Sequence, residues 1–220
     1  MHIVENGCEY INIFGLKFKK KIDLIKYWEE RAEKYGERAV RNITRTVEQS
    51  KEEVNAKEKL YLSVLENAGI SNVNVAIDFG CGVGSYENLL SQLAKEKVYG
   101  VDVTKKFLEL APDMPKVEYI HLENPIKIPL NDNIADFVFI NSVLGGIVDD
   151  NILKSTLKEL DRISSDNAIF FICEGFKKSS VSYWKGRRSA EYKYILNQVF
   201  ANNDKGGNAF LNNYLMKHLL

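Results

Sequence analysis

Three alternate glycines, Gly80, Gly82 and Gly84, follow the apolar run "VAIDF" in "VAIDFGCGVGSY". Glycine surrenders packing and costs extra backbone entropy, so three together at the end of a buried strand need a reason. In an open parallel sheet, ligands bind beyond the carboxyl ends of the strands, and a glycine turn lets the backbone approach a ligand closely. The spacing narrows the ligand. A dinucleotide fingerprint requires G-x-G-x-x-G, and position 85 is serine; a P-loop requires a lysine after its last glycine, and none follows. Asp102 closes the next apolar run, "VYGVDV", 22 residues after Gly80. A carboxylate there can accept hydrogen bonds from both hydroxyls of a ribose, or can cap the helix that begins near Thr104. Glycine turn and acid together point to a nucleoside ligand without a pyrophosphate.

Other reactive residue types are sparse. His2 and His218 lie near the ends of the sequence, and His121 closes a strand, where a structural role is the simpler reading. The three cysteines, Cys8, Cys81 and Cys173, form no CxxC pair and no metal-ligand spacing, which fits a reducing compartment. Cys81 has no companion base within its motif, so a small residue in a tight turn accounts for it better than a nucleophile. The stretch "SYWKGRRSAEY" combines Tyr183 and Trp184 with Arg187 and Arg188. Aromatic faces beside fixed cations suit a phosphorylated or carboxylated acceptor or a stacked sugar, although such a run can equally be a solvated helix start.

The elements that must position these residues fall into two textures. Residues 21–67 are charged and helical, with Leu24, Trp28, Ala32 and Tyr35 on one face, a break at Gly36, and a second helix from about Arg41 to Asn67. From Val73, short apolar runs alternate with amphipathic segments. "VNVAIDF", "KVYGVDV", "VEYIHL", "ADFVFINSV" and "NAIFFICEG" read as strands. "YENLLSQLAKE", "KKFLELA" and a stretch from about Asp150 to Ile163 read as helices. This alternation implies βαβ units, a doubly wound, mostly parallel sheet of the α/β class, and a Rossmann-like core over residues 71–220 behind an N-terminal extension and helical cap over residues 1–70. The last 20 residues carry a turn signal and a short helix but no strand pair.

Thirty basic and thirty acidic residues give a formal charge of zero, which disfavours a dedicated nucleic-acid binder. No run approaches 18 apolar residues and the N-terminus lacks a secretory h-region, so the chain is expected in the cytoplasm.

At this point the sequence resembles the class I S-adenosylmethionine-dependent methyltransferases. "VAIDFGCGVGSY" is similar to their first motif and "VYGVDV" to their second. "IPLNDNIADFVFINSVL" and "LKELDRISSDNAIFFICEG" resemble the segments through their fourth and fifth strands, and "YWEERAEKYG" the helix that folds over the cofactor. The resemblance spans about residues 70–175 and implies S-adenosyl-L-methionine as cofactor and S-adenosyl-L-homocysteine as product. It implies that Asp78, Phe79, Gly80, Cys81, Gly82 and Gly84 lie against the methionine part. By the same token Asp102 holds the ribose and Val103 packs on the adenine. Glu123, Asn124 or Pro125 would stand beside the adenine amino group, Asn141 would face the methionine amino group, and Tyr35 would close the pocket. Three departures stand out. Gly145 and Gly146 replace histidines common after strand four. Asn167 replaces a turn glycine, and the usual C-terminal antiparallel hairpin is not evident.

Methyl transfer then needs alignment and exclusion of water, with a base only for a protonated acceptor, and no base is assigned. The opening "YINIFGLKFKKK" resembles short openings of bacterial enzymes that build surface polysaccharides, and its basic end could touch an anionic membrane. The expected activity is O-methylation of a small molecule or a sugar or glycan precursor. The alternatives are an RNA or protein methyltransferase, a non-catalytic module that binds the cofactor, and, weakened by its glycine spacing, a nucleotide-dependent oxidoreductase.

Overall fold

The computed structural model describes residues 2–5, 8–13, 16–19, 23–176 and 180–200. Three short strands, β1 (His2–Glu5), β2 (Cys8–Ile13) and β3 (Leu16–Lys19), form an antiparallel meander. The stretch 10–21 singled out in the sequence supplies the end of β2 and all of β3, and its remaining positions lie outside the described residues.

Helix α1 (Leu24–Tyr35) starts where Asp23 accepts from the Lys26 amide at 3.1 Å. It stops where Gly36 takes φ 56°, a left-handed conformation that glycine adopts without a Cβ penalty. A 3-10 turn (Gly36–Val40) follows. Helix α2 (Val47–Asn67) begins later than the expected Arg41, because Thr46 and Gln49 form a reciprocal capping box that fixes the start.

The core then alternates β4 (Val73–Phe79), α3 (Glu87–Leu93), β5 (Ala94–Asp102), α4 (Lys105–Leu108), β6 (Val117–His121), β7 (Ala135–Asn141), α5 (Asp150–Ile163), β8 (Ser164–Cys173) and α6 (Ser189–Phe200). The sheet order is β6-β5-β4-β7-β8 and every pairing is parallel. β7 shows why the sheet needs cover on both sides. Phe137 and Phe139 pack with Tyr61, Leu65 and Leu89 on one face, while Val138 and Ile140 pack with Leu153, Leu157 and Leu196 on the other. All four strand residues are wholly buried. Helix α2, which the sequence groups with the cap, thus contributes Tyr61 and Leu65 to one of the two core layers. Among the described residues β8 pairs only with β7, and α6 packs on the α5 side where a hairpin would continue the sheet. The expected turn and helix in residues 201–220 lie outside the described residues.

Candidate active site

The strand order reverses at β4, with β5 on one side and β7 on the other. The glycine turn sits at that switch point, where a crevice must open between diverging crossovers. Gly80, Gly82 and Gly84 take φ 75°, 57° and 69°, so each position demands glycine on conformational grounds. A cavity of about 1110 Å³ lies above the turn, floored by the ends of β4, β5 and β7 and roofed by α1, the 3-10 turn and α2.

Asp102 ties the floor together. Its Oδ2 accepts from the Gly82 amide at 2.9 Å and its Oδ1 from the Thr104 amide at 2.8 Å. The carboxylate therefore does cap the segment after β5, and it also lines the cavity. The Thr104 side chain bonds it as well, and a carboxylate has about four lone-pair sites, so about one remains for a ligand hydroxyl. Burial raises its pKa, opposed by those two amide bonds.

Asp78 lines the cavity too, is almost wholly buried, and its Oδ2 has no hydrogen-bond partner. Glu87 lies beside it beneath the turn, with Oε2 accepting from the Tyr86 amide at 3.2 Å and Oε1 unpartnered. Burial, and for Asp78 the neighbouring Glu87 as well, holds both carboxyls above the ordinary range, so the pair retains a proton more readily than isolated carboxyls would. Cys81 is buried and its thiol is pushed up by burial and then by the surrounding carboxylates, which disarms it as a nucleophile.

On the other side of the switch point, Asn141 lines the cavity and its Oδ1 lies 3.0 Å from the Tyr61 hydroxyl, which is also 3.3 Å from the Cys173 thiol. The loop after β7 is held by two buried charges. Glu174 accepts from the amides of Val143, Leu144 and Gly145 at 2.6, 2.7 and 3.4 Å, and burial pushes its carboxyl up to about 7. Arg187 donates to the carbonyls of Leu144 and Ile147 at 3.0 and 2.8 Å and to Asp150 at 2.7 Å.

Phe79, Gly80, Cys81, Gly82, Val103, Pro125 and Trp184 also line the cavity. Other expected residues stand elsewhere. Tyr35 lies under the Arg31 and Lys34 side chains, and Trp28, two turns earlier on α1, takes the place over the cavity. Gly84 faces Tyr119 and Pro112, while Glu123 is exposed and Asn124 accepts from the Ile126 amide at 3.1 Å in a local turn. Arg187, only 1% exposed, is a brace whose donors are already taken, and Arg188 is an exposed helix-start residue. Tyr183 stacks on Tyr27 at 4.5 Å between ring centres, clasping α1 to the segment after β8. Gly145 belongs to Trp184, whose ring would lie 2.2 Å from any Cβ there. Sequence reasoning missed Tyr61, Arg41, Arg45 and Lys57, which reach the site from a helical region where charge and amphipathic pattern look alike in cap and in solvent.

Residues 77–172 match the family model described as a methyltransferase domain. The chain thus carries a methyltransferase domain of the S-adenosylmethionine-dependent kind. The enzyme is similar to an S-adenosylmethionine-dependent methyltransferase from Aquifex aeolicus, with 26% identity and a TM-score of 0.53 over 63% of this chain and 77% of that one. It shares its fold with a methyltransferase from Leishmania major (18% identity, TM-score 0.63, 80% and 71% covered). The fold is also that of phosphoethanolamine N-methyltransferase 1 from Haemonchus contortus in complex with phosphoethanolamine and S-adenosylhomocysteine (15% identity, TM-score 0.63, 80% and 39% covered). No curated protein matches the chain. Among the described residues, no helix is long and apolar enough to cross a membrane.

The residues present fit the cofactor. The buried Asp78–Glu87 carboxyl pair, which meets the cavity at Asp78, suits a cationic amino group, and Asp102 keeps lone-pair capacity for a hydroxyl donor. Val103, Phe107 and Leu122 supply an apolar wall for a base.

Proposed function

We propose that this methyltransferase transfers its methyl group to an oxygen of a small molecule, a sugar or a glycan precursor. The observation that carries this reading is the cavity itself. At about 1110 Å³ it exceeds the roughly 300–1,000 Å³ of an ordinary small-ligand pocket, and α1, the 3-10 turn and α2 cover it in part. Such a space takes a cofactor and a compact acceptor together.

In this reading Asp102 accepts from a ribose hydroxyl, Val103, Phe107 and Leu122 flank the adenine, and Asp78 with Asn141 holds the methionine ammonium. Arg41, whose guanidinium donates to Ser85 Oγ at 3.0 Å at the edge of the glycine turn, takes the methionine carboxylate. When bound, the cofactor supplies a methyl group already activated by a sulfonium. The chain's own part is to fix the donor between floor and cap, to align the acceptor and to exclude bulk water with Trp28 and Trp184. The small-molecule reading predicts transfer of labelled methyl groups to free sugars, nucleotide sugars or small hydroxylated metabolites. Transfer only to RNA or to protein would overturn it. The binding step is checked first, by calorimetric titration with S-adenosylmethionine, S-adenosylhomocysteine and NAD. The first two should bind at micromolar levels and NAD should not.

A further inference from the structure

Resting on that reading, we propose that the acceptor carries a phosphomonoester, whose charge is received by Arg45 and Lys57 at the rim of the cavity. Both side chains line the cavity, and so does Glu53 between them. Glu53 Oε1 accepts from Lys57 Nζ at 2.9 Å, and its Oε2 accepts from Arg45. One carboxylate thus holds two cations in place and leaves the trio with one net positive charge. That arrangement keeps two donors pre-positioned in the absence of ligand, which lowers the ordering cost of binding.

Glu53 and Lys57 share the helix face that reaches the switch point. Glu53, Lys57 and Tyr61 recur at four-residue intervals on α2, so they share one face and step outward by about 6 Å per pair. The Tyr61 hydroxyl meets Asn141 at the switch point. Lys57 is one helical turn from Tyr61 and Glu53, which holds Arg45, is one turn further, so the anion subsite stands apart from the Asn141 end of the cavity. Trp184, beside Gly145, also lines the cavity and offers a ring to the body of the acceptor.

Charge decides the kind of anion. A monoanionic carboxylate only equals what Glu53 already gives the two cations. A phosphomonoester is close to a dianion at neutral pH, with three acceptor oxygens, and so outcompetes it. The expected cations of the sequence, Arg187 and Arg188, do not line the cavity, whereas these two do.

The experiment uses the full chain saturated with S-adenosylhomocysteine and follows the fluorescence of its two tryptophans, Trp28 and Trp184, both of which line the cavity. Phenyl phosphate, benzoate and phenol are titrated in turn. Phenyl phosphate should bind at least about tenfold more tightly than either comparison compound. Lys57→Gln and Arg45→Gln should each weaken it about 10- to 100-fold, the range for a hydrogen bond to a charged group, with S-adenosylhomocysteine affinity unchanged. Equal binding of phenyl phosphate and phenol, or equal binding of benzoate, would overturn the proposal. So would a loss of S-adenosylhomocysteine affinity in either variant, which would give these cations to the cofactor's own carboxylate. Failure of the wild type to bind S-adenosylhomocysteine would instead strike the underlying cofactor reading.

Discussion

At the residue scale, the floor of the site depends on carboxylates that perform two tasks each. Asp102 holds the Gly82 and Thr104 amides and still offers lone-pair capacity upward. Asp102→Ala should therefore weaken S-adenosylhomocysteine binding by about 1.5–3 kcal/mol, the worth of hydrogen bonds to a charged group, in a calorimetric titration. Unchanged affinity would leave Asp102 as a cap alone. This residue and the three glycines were legible in the sequence because their types are dictated by backbone conformation and by one local offset. The reason a larger residue fails at Gly82 was not legible. A Cβ there would sit 2.9 Å from Val40 on the cap, so the first collision is with the protein's own roof. Arg187 shows the opposite limit. A cation within a basic, aromatic run reads the same whether it faces ligand or braces a loop, and only the fold shows its guanidinium buried against two carbonyls and Asp150.

At the element scale, the periodicities located the strands and helices of the core, since buried parallel strands and amphipathic helices advertise themselves in hydrophobic spacing. What joins elements at a distance is silent in that pattern. Glu174, just past β8, fastens the loop after β7, and 31 residues separate it from the Val143 amide it binds. Its pKa of about 7 lies above the ordinary value of 4.5. The native state therefore binds this proton more tightly than the unfolded chain. Its contribution to stability is present below about pH 4.5 and is lost as pH rises to about 7, on the order of 3 kcal/mol for a shift of this size. Asp78 and Glu87, raised by burial, act in the same direction. Denaturant unfolding from pH 4.5 to 8 should show Glu174→Gln gaining stability relative to wild type as pH rises, because the amide has no charge to bury. A constant difference across that range would show that Glu174 does not titrate there.

At the scale of the whole molecule, the cavity lies between the cap segment 24–40 and the carboxyl ends of the strands, and the ligand is expected to complete their union. On the cap, Glu29 accepts from the Lys105 amide at 2.6 Å and the Lys106 amide at 3.4 Å, and Tyr27 stacks on Tyr183. Each of these attachments is worth about 1 kcal/mol and adds to a small apolar seam in which Ala32 and Ala39 of the cap pack with Val83 and Phe107, whereas the sheet is held by two continuous apolar layers. A ligand that touches floor and roof binds only the docked arrangement, so its binding energy is added to the native state. S-adenosylhomocysteine at about 100 times its dissociation constant should stabilise the protein by about 2.7 kcal/mol and raise Tm by roughly 5–10 °C for a chain of this size. Glu29→Gln weakens the docking without touching the cavity floor. It should lower the affinity for S-adenosylhomocysteine severalfold while changing the Tm of the free protein by no more than about 2–4 °C, since the attachment is worth about 1 kcal/mol. Equal affinity in the variant and the wild type would mean that the roof docks independently of this contact, and that the floor alone sets how tightly the cofactor is held.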